Sequence, residues 1–152
     1  MKFICKTENE TKNLAKTFAR SLVGGEIILA RGTLGAGKTA FGQGLALGLG
    51  VKNNVNSPTF NIMKVYQGKK LNFYHIDAYR LEGEDAVTDI GLDEVLGNED
   101  GVCYIEWPNY IDFLLKEYKN LILVDIVIND DESREITLEE IHEQFIYRHL
   151  IK

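Results

Sequence analysis

From Gly32 to Thr39 the chain reads Gly-Thr-Leu-Gly-Ala-Gly-Lys-Thr, a spacing of glycines, lysine and hydroxyl that can hold a polyphosphate. Glycines let the backbone curl so that consecutive N–H groups point inward, Lys38 supplies a mobile cation for the outer phosphates, and the Thr39 hydroxyl can ligate Mg²⁺. This G-x-x-x-x-G-K-[ST] pattern, a P-loop, works only between a strand and a helix, where the helix N-terminus adds a favourable dipole. Both flanks are present. Ile27-Ile28-Leu29-Ala30 reads as a short strand without polar alternation, as expected when both faces of a parallel sheet are covered. Residues Thr39 to Leu49 read as a helix whose Gly42, Gly44 and Gly48 lower propensity but permit close packing.

A threonine cannot hold magnesium alone, so a carboxylate is expected at the end of a neighbouring strand. Asp77 follows the apolar run Leu71 to Ile76, and Glu106 follows Val102 to Ile105, each at the carboxyl end of a strand, where α/β folds gather ligands. Ser57-Pro58-Thr59 falls where a hydroxyl could sense a terminal phosphate, or is simply a turn. His75 is a core or rim histidine or a catalytic one, and Trp107 either stacks on a base or caps the core.

The elements that must position these groups follow from periodicity. Thr7-Glu8-Asn9-Glu10 is a capping-box pattern ahead of apolar residues at helical spacing, Leu14, Ala15, Phe18, Ala19 and Leu22, in a helix expected to end at Gly24-Gly25. Phe60 to Gln67 and Leu71 to Ile76 form a hairpin around Gly68-Lys69-Lys70, and acidic helical turns run from Glu82 to Leu96. Pro108 favours an extended residue before it. A helix from about Asn109 to Tyr118, strands at Leu121 to Ile128 and Arg134 to Leu138, and a helical tail from Glu139 complete the reading. The expected fold is α/β, a P-loop NTPase fold with a mixed, mainly parallel β-sheet, helices on both faces and the antiparallel strands on one side.

The chain's 152 residues, 45% hydrophobic and 26% charged, suit one domain spanning residues 1–152. No apolar run approaches the ~20 residues that span a bilayer, and Met1 to Lys6 has no extended apolar stretch, so no membrane association and a cytoplasmic location are expected. Cys5 and Cys103 stand singly in apolar strand-like segments and read as buried thiols. A net charge of −6 works against autonomous binding to a phosphate backbone, so tRNA or other nucleic acid would be held only indirectly, through a partner.

Taken together, Gly32 to Thr39, Ser57-Pro58-Thr59-Phe60, His75-Ile76-Asp77-Ala78-Tyr79-Arg80-Leu81, Gly91-Leu92-Asp93-Glu94 and Glu106-Trp107 resemble the bacterial TsaE (YjeE) family, in order and over nearly the whole chain. The resemblance implies a Mg²⁺-dependent ATPase that works with the TsaB–TsaD pair to make threonylcarbamoyladenosine beside the anticodon of tRNAs reading codons that begin with A. By the same carry-over, Lys38 and the amides of Gly32, Gly35, Ala36, Gly37, Thr39 and Ala40 hold the phosphates of ATP. Thr39 and Glu106 hold Mg²⁺, Asp77 supports catalysis together with Glu106 and Lys38, Trp107 lies near the nucleotide, and Arg134 resembles a late arginine that reaches it. Ala40 departs from the second threonine common in the family, and Ala78 from its leucine; Pro108 after Trp107 is a further departure.

Three rivals use the same loop. A small-molecule or nucleotide kinase usually brings several arginines and a lid, whereas this chain has Arg20, Arg31, Arg80, Arg134 and Arg148 and no separate lid insertion. A nucleotide-gated structural subunit would use ATP to order the segment around Ser57 to Phe60, with incidental hydrolysis. A regulatory GTPase would need an N-K-x-D guanine signature, which the sequence lacks.

Overall fold

The computed structural model describes residues 1–56, 62–79 and 91–141. Within them the chain runs β1 (Lys2–Cys5), α1 (Glu8–Ala19), β2 (Ile27–Arg31), α2 (Lys38–Gly48), β3 (Met63–Tyr66), β4 (Asn72–Asp77), α3 (Leu92–Val95), β5 (Gly101–Glu106), a 3₁₀ turn (Pro108–Ile111), α4 (Asp112–Leu115), β6 (Leu121–Ile128) and β7 (Arg134–Ile141). The strands form one seven-stranded sheet in the order β1-β7-β6-β2-β5-β4-β3. Strands β6, β2, β5 and β4 are mutually parallel at its centre. The antiparallel strands do not gather on one side as expected: β3 closes one edge against β4, while β7 and β1 close the other.

α1 begins as its capping box requires, with the Glu10 amide donating to Thr7 Oγ1 at 3.1 Å and the Thr7 amide to Glu10 Oε2 at 3.0 Å. It stops at Ala19, short of the glycine pair. The glycines of α2 do what small residues allow: a Cβ on Gly44 would lie 2.3 Å from the Lys12 carbonyl oxygen, and one on Gly48 would lie 2.5 Å from Ala19 Cβ. The two helices therefore pack nearly backbone to backbone over one face of the sheet, around Ala15, Ile28, Phe41, Leu45, Phe73 and Tyr104. The short α3, α4 and the 3₁₀ turn cover the other face, around Leu29, Ile76, Leu92, Ile105, Ile111 and Leu115.

Three boundaries differ from the sequence reading. The expected helix from Asn109 to Tyr118 is the 3₁₀ turn followed by one turn of α-helix. Residues Glu139 to Ile141 continue β7 instead of starting a helix, because pairing with Leu123, Ile122 and Leu121 completes the β6 ladder and overrides local propensity. Lys2–Cys5, read from the sequence only as a strand-like segment around Cys5 without bounds, is an edge strand on β7. The hairpin of β3 and β4 is present as expected, and Leu92–Val95 forms the described part of the acidic helical segment. The Ser57-Pro58-Thr59-Phe60 motif, Arg80, most of the segment from Glu82 and the tail beyond Ile141 lie outside the described residues.

Candidate nucleotide-binding site

Strand alternation builds the site from below. Phe73, His75 and Asp77 on β4 point to the face under α1 and α2, as do Val102, Tyr104 and Glu106 on β5. Each strand thus passes from apolar to polarisable aromatic to carboxylate as it nears its C-terminal end. Parallel register sets Asp77 directly beside Glu106. β2 ends alongside them and opens into the loop leading to Lys38, with Gly35 (φ +80) and Gly37 (φ +116) in the left-handed region that a side chain disfavours. Gly32 sits tight against β6, since a Cβ there would lie 2.8 Å from the Ile126 carbonyl oxygen.

These elements enclose a cavity of about 520 Å³ lined by Gly35, Ala36, Gly37, Lys38, Thr39 and Ala40, with Asp77, Glu106, Trp107 and Arg134 around them. The residues that the resemblance assigns to phosphate, metal and catalysis all line it except Gly32, which accepts from Lys38 through its carbonyl; His75 is buried behind Glu106, and Ser57 to Thr59 lie outside the described residues. The Lys38 ammonium is buried, donates to the Gly32 carbonyl at 2.8 Å and lies 3.4 Å from the centre of the Trp107 ring. Burial pulls its pKa below the usual lysine range, opposed by the carboxylates of Glu106 and Asp77. Burial holds the Asp77 carboxyl above its ordinary range against the Tyr79 amide, which donates to Asp77 Oδ1 at 3.0 Å. Glu106 is 4% exposed, and its Oε2 lies 2.6 Å from His75 Nε2.

Trp107 is not extended, as Pro108 led us to expect. Its φ of 60° and ψ of 51° place it in the left-handed region, a strained state for a tryptophan. The indole is held there by Lys38 beneath it and by the Tyr79 ring, 5.4 Å away, so packing outweighs the preference set by the following proline. Arg134, from the first position of β7, donates to the carbonyls of Ala36 at 2.9 Å and Gly35 at 3.4 Å, bracing the loop from outside.

Several contributors escaped the sequence reading. Lys6 and Thr7 at the β1–α1 junction, Glu8 and Thr11 in the first turns of α1, and Glu132 also line the cavity. Thr7 was legible only as a helix cap. The Tyr104 hydroxyl, wholly buried, donates to the Lys38 carbonyl, and its ring fits against Gly42, where a Cβ would lie 2.8 Å from Tyr104 Cε2. A tyrosine in a buried strand needs such a partner, which was the available signal. Burial raises the Tyr104 hydroxyl well above its ordinary pKa and pushes the Cys103 thiol up to about 12, while Cys5 and Cys103 are both buried and free as expected.

The donor set suits Mg²⁺ with a nucleotide. Thr39 and Glu106 offer hard oxygens in the same cavity as the lysine and the loop amides. Among the described residues no three His, Cys, Asp or Glu side chains converge as a metal cage, and Mg²⁺ characteristically takes one or two protein oxygens with phosphates and water.

The family model described as "Threonylcarbamoyl adenosine biosynthesis protein TsaE" matches residues 5–136. The chain belongs to the TsaE family. It is 40% identical over 136 residues to the tRNA threonylcarbamoyladenosine biosynthesis protein TsaE of Bacillus subtilis, covering 90% of this chain and 83% of that protein. It is 37% identical over 138 residues to the protein of the same name from Treponema pallidum, covering 91% and 99%. The crystal structure of Bacillus subtilis YdiB superposes with a TM-score of 0.75 at 32% identity, over 99% of this chain and 93% of the other. The match to the TsaE model runs from the last residue of β1 to the start of β7, and so takes in every residue of the cavity wall.

Proposed function

We propose that this chain binds ATP with Mg²⁺ in the loop cavity and hydrolyses it, as the ATPase of tRNA threonylcarbamoyladenosine biosynthesis, acting with the TsaB–TsaD pair. The observation that carries the reading is the convergence of Lys38, Thr39, Asp77 and Glu106 on one cavity at the C-terminal ends of three parallel strands. The loop amides and Lys38 bind the phosphates; the desolvated ammonium makes stronger charge-assisted hydrogen bonds than it would in water. Thr39 and Glu106 would hold Mg²⁺, which when bound neutralises charge on phosphate oxygens. Asp77, whose carboxyl is raised by burial, would orient water and accept its proton, a task favoured by a pKa moved toward neutrality. Trp107 and Arg134 keep the lysine and the loop in place. A net charge of −6 works against direct binding to a phosphate backbone, so tRNA is reached through partners.

The two carboxylates should separate in mutants. Glu106→Ala is expected to lose affinity for ATP with Mg²⁺ together with turnover, whereas Asp77→Ala keeps affinity and loses turnover by about 10²-fold or more. Calorimetric affinity beside single-turnover hydrolysis, with and without the TsaB–TsaD pair, measures both. If a non-hydrolysable ATP analogue supports the modification as well as ATP does, hydrolysis is incidental and the ATPase reading fails.

A further inference from the structure

One buried contact has no part in phosphate binding. His75 is 0% exposed and Glu106 4% exposed, and their Nε2···Oε2 separation is 2.6 Å. A carboxylate oxygen accepts, so Nε2 carries the proton and the ring's tautomer and direction are set by this bond. The other nitrogen, Nδ1, is buried with no partner among the described residues. A position flanked by the rings of Phe73 at 5.8 Å and Tyr104 at 5.5 Å would be filled at least as well by an apolar side chain, with no orphaned nitrogen. Packing therefore does not explain a histidine here. Among the described residues its one polar contact is with Glu106.

The contact is also tied to the loop. Tyr104, packed beside His75, anchors through its hydroxyl to the Lys38 carbonyl and through Gly42 to the body of α2. We propose that His75 is a positioning residue that locks the Glu106 carboxylate in the orientation needed to ligate Mg²⁺ beside the lysine. This rests on the reading of Glu106 as the magnesium carboxylate and adds to it the group that orients the ligand. Outer partners of metal ligands typically contribute about 10–100-fold in metal affinity.

The test compares ADP affinity by calorimetry, in Mg²⁺ and in EDTA, for the wild type, His75→Asn and His75→Gln. The glutamine amide nitrogen reaches toward the place of Nε2, whereas the asparagine nitrogen stands nearer that of Nδ1. His75→Asn should lose about tenfold in affinity with Mg²⁺ and nothing in EDTA, and His75→Gln should recover most of the loss. Equal losses in Mg²⁺ and EDTA, or equal losses in both variants, would mean packing alone and overturn the inference. A wild type whose ADP affinity ignores Mg²⁺ overturns both this inference and the reading of Glu106, whereas a magnesium dependence that is undiminished in His75→Asn overturns this inference only. Should both variants fail to fold, the wild type decides through its imidazole nitrogen resonances. The Nε2–H signal of His75 is expected to shift when Mg²⁺ is added to the ADP complex, and a signal that stays in place would overturn the proposal.

Discussion

The two faces of the sheet share the same strands by strict alternation, yet they carry different chemistry. Under α1 and α2 lie the buried polar side chains Thr11, Lys38, His75 and Glu106, mixed with Phe41, Phe73 and Tyr104. The opposite face, beneath the short helices, buries Ile27, Leu29, Ile76, Leu92, Ile105, Ile111 and Leu115, and none of the buried charged groups among the described residues lies there. One face supplies stability by removing apolar surface from water. The other uses a desolvated interior to strengthen a small set of charges and orient them toward one end, where the loop opens. The difference teaches that the site owes its properties to the core beneath it as well as to the loop: Lys38 is anchored through Tyr104, and Glu106 through His75.

The comparison predicts effects that separate by face. The largest belongs to the apolar side, where Leu115→Ala should remove about 3 kcal/mol of stability by leaving a cavity, with nucleotide affinity of the folded protein unchanged. Chemical denaturation and calorimetric titration of the same sample check both halves, and a loss of affinity would break the division. Next comes Lys38→Ala, expected to weaken ATP binding by about 10–100-fold, since it removes charge-assisted contacts that the amides cannot replace. Retained affinity and retained turnover would dismiss the assignment of the cavity.

The smallest effect is a pH dependence. Burial raises the Asp77 carboxyl above 3.8 in the folded state, so folding is favoured by its protonated form. That contribution is fully present below 3.8 and is lost as pH rises through the raised folded value. Asp77→Asn should therefore melt about 2 °C higher than the wild type at neutral pH, with the gap closing as pH falls below that window. Melting curves across the acid range measure it. A gap that is constant with pH would assign the gain to something other than the buried charge.

The amino-acid sequence by itself determined the local features. The glycine spacing before Lys38 defines the loop, unbroken apolar runs define the central strands, and Thr7 with Glu10 defines the start of α1, because each depends on neighbours a few residues away. The placement of Asp77 and Glu106 was also legible, since a carboxylate just beyond an apolar strand reads as a strand-end group in an α/β fold. Register, strand order and backbone strain were decided only by the tertiary structure. No local pattern says that β7 lies beside β6 and carries Arg134 to the Ala36 carbonyl, 98 residues away in the chain, or that His75 and Glu106, 31 residues apart, share one bond. The left-handed Trp107 runs against the preference of its own sequence, and Glu139 to Ile141 pair as strand where local propensity favours helix. In each case long-range packing and ladder hydrogen bonds outweigh a local preference on the order of 1 kcal/mol, and those contacts exist only once the chain has folded.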